Sequence, residues 1–517
     1  MELAGITPLY LMGAAFIVPV LRLVIRDPRF FRAYASLVSL IALMMTSYIA
    51  VEVLNEGIVN YWFGGFRPPL GISYTVDALS AVLGLLSMFI LTLSIIYSTW
   101  MMRSRGEYLF YTFMLTLGAG SLGCLYTGDV FNFFVMLEAL SISAYALVSF
   151  YRDNPKAVEA SIRYAIVGMI ATSLYLLAAF IIYGSFGTLN MADVALKSRL
   201  PNARVMFSGV VFGNVVFSSA VAVALSMWTF TFKAAIFPNH FWLPDANPEA
   251  PTPVSALFVA VIDLIGAYGV IRFLYTVFGD GSVVGVFRSN VLSVLHVLGV
   301  LSAIVGALLL VVQRDVKKFI AYSTISHMGL AFMALTVGTR EGITAAVLQL
   351  TSNSLSEALL FYSAGIAIVA SGRAVESLGV LRRYRLASIA FVVGLLNLFG
   401  VVPAFVGFWS KVLIFTSLVS SGYLASAVAL IVSTGISGVG YVRLIYFLVK
   451  SETSPREDER TRRVLVPNII IALATLALLA LGIALITIPD LKTFLEGVGA
   501  EVMNFEQYVK AVYGSGI

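Results

Sequence analysis

Apolar runs of about 18 to 25 residues recur along the chain, and short polar stretches divide them. Each run is long enough to cross a hydrocarbon core as a helix. Read by length and hydropathy, the pattern predicts about fourteen helical spans. They fall near 6–25, 33–52, 77–99, 107–127, 129–150, 159–183, 208–236, 253–277, 291–312, 318–337, 342–370, 387–418, 423–449 and 464–488. The loops between them are short, which predicts one all-α polytopic membrane bundle rather than separate soluble domains. The opening run, MELAGITPLYLMGAAFIVPVLRLVI, has no basic residue ahead of its apolar part, so a first span is expected and not a cleaved signal. The segment after Pro489 is expected to form an amphipathic helix at the surface.

Composition agrees with this pattern. Of 517 residues, 60% are hydrophobic and only 12% charged, far too few charges for the surface of a soluble protein of this length. The single cysteine, Cys124, excludes a disulfide framework and any cysteine-held metal or iron–sulfur cluster. There is no haem-attachment motif and no glycine-rich dinucleotide loop, so no cofactor, no metal and no redox catalysis are expected within this chain.

The net charge of +6 is small, and its basic residues sit in loops, where they report topology rather than a nucleic-acid partner. They cluster after alternate spans: Arg22, Arg26, Arg29 and Arg32; Arg103 and Arg105; Arg152 and Lys156; Arg314, Lys317 and Lys318. Further on come Arg373, Arg382, Arg383 and Arg385, then Lys450, Arg456, Arg460, Arg462 and Arg463. The other side holds only Arg67, Lys197, Arg199, Arg204, Arg288 and Arg340. The asymmetry predicts both termini outside. The proline-rich 237–253 segment falls on the inner side but carries no lysine or arginine.

Two short matches hint at an internal duplication. FTFKAAIF (230–237) and FWSKVLIF (408–415) share F-x-x-K-x-x-I-F, and DVFNF (129–133) and DVKKF (315–319) share D-V-x-x-F. The offsets, 178 residues (230 to 408) and 186 (129 to 315), suggest duplicated units of about five spans, a transporter architecture with sites at the repeat interface.

Ionisable groups inside a membrane are costly and are functional candidates by default. Four stand out: Glu138, Lys233, His327 and Lys411. Glu138 has Ser141 and Tyr145 at i+3 and i+7 on its helix face, an arrangement that can pass a proton through ordered water. Lys233 has Ser226 and Thr229 at i−7 and i−4. Loss of hydration disfavours the charged form of a lysine and a nearby carboxylate restores it, so a Glu/Lys pair that separates and re-forms can switch a proton. The ordinary alternatives are a protonated glutamate bonded between helices and a permanent ion pair. His327, with Ser323 at i−4, is either a relay at physiological pH or a hydrogen-bonded core histidine. Lys411 follows Pro403 and Gly407, which predicts a broken helix with a charge near the break. Further candidates for a relay are Asp77, His240, Asp263, Gln349, Asn353 and Glu357; helix–helix hydrogen bonding is the plainer role for most of these.

These residues, in this order, resemble the antiporter-like, proton-translocating subunits of respiratory complex I, of Mrp-type multisubunit Na+/H+ antiporters and of membrane-bound hydrogenase-type complexes. The most specific stretch is FKAAIFPNHFWLPDANPEAPTPVSAL. FVMLEALSISAYALV, RDVKKFIAYSTISHMG and VPAFVGFWSK support it, and VDALS matches more weakly. The resemblance implies fourteen helices, two inverted five-helix repeats and broken helices seven and twelve. The chain would then divide into an N-terminal three-helix segment (1–106), a first repeat (107–277), a second repeat (291–449) and a last helix with its tail (450–517). Glu138 would be the family's key glutamate on helix five, Lys233 its central lysine on helix seven, and Lys411 the helix-twelve residue at the exit side.

On this resemblance the chain would move H+, with Na+/H+ exchange a further option, as a subunit among other membrane subunits in the cytoplasmic membrane of a prokaryote. A peripheral iron–sulfur redox module or an opposing ion gradient would drive it. Three departures stand against a simple transfer of the mechanism. Leu264 stands where the family commonly has a lysine, with Asp263 one position away. Gln349, Asn353 and Glu357 stand where two histidines and a lysine are frequent, and GVVPAF replaces a tighter Gly-Pro-Pro turn. The expected relay is therefore interrupted between Lys233 and Lys411. Either a water chain on Asn353 and Ser356 bridges the interruption, or the chain is a non-conducting scaffold. A stand-alone transporter of an organic solute is a third reading, resting on inverted repeats alone.

Overall fold

Twelve helices among the described residues are long and apolar enough to cross a membrane. The computed structural model describes residues 2–103, 106–200, 206–207, 210–211, 214–451 and 458–514; Arg105, Arg204 and Arg456 lie outside them. The helices used below begin with α1 (Glu2–Val24), α2 (Pro28–Glu56), α3 (Ala78–Met101), α4 (Glu107–Tyr126), α5 (Val130–Val148) and α6 (Pro155–Phe186). Next come α7 (Val215–Lys233), α8 (Trp242–Glu249), α9 (Thr252–Val277), α10 (Gly285–Val311), α11 (Val316–Leu335) and α12 (Arg340–Ser371). The last are α13 (Arg385–Phe399), α14 (Val406–Ser420), α15 (Leu424–Lys450), α16 (Leu465–Thr487), α17 (Pro489–Met503) and α18 (Phe505–Tyr513).

Every predicted span has a helical counterpart, with two differences of kind. The span expected at 318–337 is α11, a helix that stands outside the twelve because lysines, hydroxyls and His327 dilute its apolar character. The span expected at 387–418 is two short helices, α13 and α14. Local chemistry sets the ends. Asp27 and Asn154 cap α2 and α6 by accepting backbone N–H bonds, each with a proline in the first turn. Asp129 and Asp315, the aspartates of the repeated D-V-x-x-F, cap α5 and α11 in the same way.

Both described chain ends lie at one face. A small antiparallel hairpin, β1 (Val59–Trp62) with β2 (Ser73–Val76), holds them there. The Tyr61 ring covers Gly5 of α1, and the Asn60 amide donates to the Ala511 carbonyl of α18 at 2.8 Å. The loops rich in arginine and lysine fall at the other face, where Arg32 pairs with Glu107 at 2.6 Å. One member of that loop set is misplaced by the sequence reading. Lys317 lies in the first turn of α11 and is buried, its ammonium donating to the Ala250 carbonyl at 2.6 Å and to Ser255 at 3.2 Å.

The interior is α9, buried along its whole membrane-length window. Around the outside, large apolar side chains such as Leu23, Val24, Phe217 and Leu465 are exposed. A water-soluble surface would not carry them in such numbers; a lipid-facing one requires them. The C-terminal helices α17 and α18 pack on the hairpin face rather than floating free, with Thr276 of α9 donating to the Val502 carbonyl at 3.1 Å. There Glu501 comes near Asp77, and burial together with the Asp77 charge pushes its carboxyl up to about 7.

Candidate functional site

Two helices stop inside the bundle, and a buried lysine stands beside each stop. The first is α7, which ends at Lys233. The chain turns through Ala235, which adopts a left-handed φ of 51°, and after a short loop continues toward the basic face as α8, whose Trp242 stacks on Tyr164 and whose Glu249 meets Asn154. This break strands the last carbonyls of α7, which must find donors in a setting without bulk water. The following segment supplies them. Trp242 donates its indole N–H to the Phe232 carbonyl at 2.8 Å, and Ile236 N donates to the Thr231 carbonyl at 3.0 Å, while the Asn239 amide bonds the Thr231 hydroxyl at 3.2 Å. The prolines thus stiffen a segment whose donors complete a broken helix.

The Lys233 side chain is fully buried. Its ammonium donates to the Ser141 hydroxyl at 2.6 Å and lies 5.7 Å from the ring centres of Tyr145 and Tyr164. Glu138, one turn before Ser141 on α5, is only half-buried, and its carboxylate is within electrostatic reach of Lys233 and Tyr145. The structure therefore places Glu138 toward the bundle surface, not at its centre.

On the other side of Lys233 lies Asp263, and its position answers the departure at Leu264. The preceding turn of α9, Phe258–Ile262, is a π-helix. The wider turn changes the phase of the helix, so residue 263 is aimed differently from its place in a 3.6-residue count. Asp263 is fully buried, neither carboxyl oxygen has a hydrogen-bond partner, and both Lys233 and Glu357 lie within its electrostatic reach. Glu357 on α12 accepts from the Thr324 hydroxyl at 2.6 Å and from the Asn353 amide at 3.1 Å.

From the neighbouring residue of Thr324 a hydrogen-bonded run leads to Ser410, next to the second lysine in the chain. Ser323, next to Thr324 on α11, meets the Tyr441 phenol at 2.8 Å. Tyr441 meets His327 Nε2 at 2.9 Å, and the Gln349 amide donates to His327 Nδ1 at 3.0 Å. In this arrangement the neutral imidazole carries its proton on Nε2 and donates it to Tyr441. The Ser410 hydroxyl then donates to Gln349 Oε1 at 2.7 Å, beside Lys411.

Lys411 on α14 sits at the second stop. Gly400, in the left-handed region at φ 72°, ends α13, and the Lys411 ammonium donates to the carbonyls of Leu398 and Phe399 in its last turn. A cation against the C-terminal carbonyls of a half-helix is electrostatically favoured. Asn397 holds the break closed: its side-chain amide oxygen accepts from Gly407 N at 2.9 Å, and its amide nitrogen donates to Ser352 at 2.9 Å and Ser356 at 2.5 Å. Gly407 is required there, because a Cβ would fall on the Asn397 backbone carbonyl oxygen.

Two sequence candidates stand apart from this run. Asp77 caps α3 and forms a buried ion pair with Arg272 at 2.7 Å. His240, in the turn after the first break, is half-buried and stacks on Phe237. Three groups escaped the sequence reading. Arg272 is an arginine inside an apolar run, a signal that was there to be read. Tyr441 has Ser437 and Ser433 at i−4 and i−8, the same stripe logic that singled out Lys233. Ser410 gave no signal of its own. Among the described residues no three or more His, Cys, Asp or Glu side chains are grouped to hold a metal ion.

Comparison with known proteins adds an independent line. A family model described as NADH:quinone oxidoreductase/Mrp antiporter, TM, matches residues 127–437. NADH-quinone oxidoreductase subunit N of Desulforudis audaxviator is 32% identical over 447 residues, 85% of this chain and 84% of that protein. A Staphylococcus aureus protein named as an antiporter subunit, mnhD2, is 26% identical over 458 residues, covering 87% of this chain and 86% of its own. Among solved structures, a chain of the membrane-bound sulfane sulfur reductase, an archaeal respiratory membrane complex, superposes with a TM-score of 0.88 at 27% identity, covering 99% of this chain and all of that one.

Proposed function

Since this chain belongs to the NADH:quinone oxidoreductase/Mrp antiporter family of membrane subunits, we propose that it moves protons along the interior run from Lys233 to Lys411, as one subunit of a multisubunit complex. The observation that carries this reading is the Asp263–Glu357 pair between the two lysines. It occupies the interval where the departures from the family pattern had left a gap. Buried carboxyls within electrostatic reach of each other disfavour carrying charge together, so the charge on Lys233 biases which of them holds a proton. A change at Lys233 is thereby felt at Glu357. Glu357 is bonded to Thr324, and from its chain neighbour Ser323 a hydrogen-bonded run through Tyr441, His327 and Gln349 reaches Ser410, next to Lys411; the steps from Thr324 to Ser323 and from Ser410 to Lys411 would be bridged by water.

Glu138, half-buried at the bundle surface, would take the role of an input from a neighbouring subunit. Other parts of the reading follow from family membership and from the charge asymmetry. The complex would lie in the cytoplasmic membrane with both termini outside. The units 107–277 and 291–449 would be inverted repeats, each contributing one broken helix. An iron–sulfur redox module or an Na+ gradient would drive the proton, and mass spectrometry of co-purifying subunits separates these two sources.

The competing reading, a scaffold that conducts nothing, is separated by Lys411→Ala in the intact complex. Proton transfer through a positioned side chain contributes on the order of 10²-fold or more to a rate. Translocation is therefore expected to fall at least about tenfold while the partner subunits still co-purify. A variant that assembles normally and translocates at the full rate leaves the scaffold reading standing.

A further inference from the structure

At the hairpin face the packing leaves a groove that the route to Lys411 does not use. α17 crosses the first turns of α12 at close range. Gly499 has no room for a Cβ against the Arg340 carbonyl, and the Thr344 hydroxyl donates to the Leu495 carbonyl at 3.1 Å. α17 thereby roofs the space between α12, α14 and α16. Beneath it lies a cavity of about 790 Å³, within the range of about 300–1,000 Å³ usual for small-molecule sites. Its inner walls are apolar and include Leu348, Trp409, Leu413, Leu485 and Leu495. Leu348 and Leu495, with Val406, form a hydrophobic cluster of their own, separate from the main core. Leu348 lies eight residues into α12 from Arg340, so at a rise of 1.5 Å per residue the groove reaches about 12 Å into the bundle.

Two features of the rim say what fits there. On one side, Ile486 of α16 lines the groove and is exposed, as are its neighbours Ile483 and Phe415, so the groove is continuous with the lipid-facing surface. At the mouth the walls are charged: Arg340, Glu341 and Glu496 line the same cavity, and all three are exposed. Among the described residues Arg340 has no ion-pair partner. One cation flanked by two carboxylates complements a zwitterion, with a phosphate on the guanidinium and an ammonium on the carboxylates. A purely anionic headgroup would meet two like charges. A membrane-spanning helix is about 10–12 Å across and cannot run through the roof that α17 makes, whereas an acyl chain can lie beneath it.

We propose that this groove binds one phospholipid with an amine-bearing headgroup, of the phosphatidylethanolamine kind. Its phosphate sits on Arg340, its ammonium between Glu341 and Glu496, and an acyl chain runs along Leu413 and Leu485 to Leu348. The bound chain fills the space beside α14, the short helix that carries Lys411. The test places the intact complex in phosphatidylcholine vesicles with a trace of phosphatidylethanolamine bearing a photoreactive diazirine on one acyl chain. Peptide mass spectrometry after illumination reads where the chain lies. Leu348 is 2% exposed, and lipid reaches it only through the groove, whereas Ile483 at 51% reports bulk lipid. Label is expected on α12 at 344–348 as well as at Ile483. Arg340→Ala removes a charge-assisted contact and is expected to lower the α12 label at least about tenfold relative to Ile483. Thr416→Trp, an exposed position on the groove wall, is expected to lower it too, by filling the groove. Unlabelled phosphatidylethanolamine is expected to reduce the ratio of α12 label to Ile483 label, and phosphatidylglycerol is not. The proposal is overturned if Ile483 is labelled and 344–348 is not, the result that a groove filled by a neighbouring subunit would give. It is also overturned if Arg340→Ala keeps the wild-type ratio. Equal competition by phosphatidylglycerol overturns the headgroup assignment. None of these readouts depends on transport, so they stand whether or not the chain moves ions.

Discussion

Lys233→Ala is expected to stop ion translocation by the intact complex, with a fall on the order of a hundredfold or more, while leaving the complex assembled. The ammonium it removes is fully buried, bonded to Ser141 and faced by the rings of Tyr145 and Tyr164. It is also the cation in electrostatic reach of Asp263, whose two oxygens have no donor of their own. Without it, nothing couples the entry side of the bundle to the Asp263–Glu357 pair. The more discriminating variant is Lys233→Arg. A guanidinium keeps the positive charge but does not release its proton near neutral pH, so this variant is expected to fail as well. Wild-type transport by Lys233→Arg would mean that a fixed charge is enough and that titration at this position is not part of the mechanism. Assembly is expected to survive both changes, because Lys233 forms no ion pair within 4.0 Å among the described residues; co-purification of partner subunits checks it.

The largest effect on stability is expected at a different place. Asp77 meets Arg272 through both oxygens, at 2.7 and 2.8 Å, and also accepts from Ser80 N at 2.9 Å as the cap of α3. Arg272 is enclosed by Ser80, Tyr268 and the ring of Tyr508 from the C-terminal helix. Removing one partner of a buried pair leaves the other charge uncompensated, at a cost of about 3–5 kcal/mol, and losing the cap adds about 1 kcal/mol. Asp77→Ala should therefore lower the thermal midpoint of the purified complex sharply and deplete it from membranes. Asp77→Asn, which can still cap the helix, should fall between. The double change Asp77→Ala/Arg272→Met is expected to regain much of the loss, because the orphaned charge is gone. If Asp77→Ala matched the wild type in melting and yield, the pair would have no structural role.

Much of this was legible in the chain because a charge in an apolar run is conspicuous. Lys233 and Lys411 announced themselves that way; Pro403 and Gly407 announced the break beside Lys411, whereas the break beside Lys233 was expected from the family resemblance alone. What escaped notice did so for identifiable reasons. The π turn at Phe258–Ile262 changes the helical phase just before Asp263, and a count at 3.6 residues per turn does not register it. Tyr441 looks like one more apolar aromatic until its phenol is seen between Ser323 and His327. Lys317 reads as a loop charge because it borders one; only the packing of Ala250 and Ser255 against it shows that it is inside. Arg272 was visible, but its partner lies 195 residues away and no local pattern connects them.

The most direct test of the interior route is proton translocation by the intact complex carrying Glu357→Gln, measured in sealed vesicles against the driving reaction or gradient. Glutamine keeps the size of the side chain and can still accept from Thr324, but it cannot exchange a proton. The expected result is normal assembly with translocation reduced at least about tenfold. Translocation at the wild-type rate would contradict the route, because the ion would then be crossing without the carboxyl that stands between Asp263 and the hydrogen-bonded run reaching Ser410, next to Lys411.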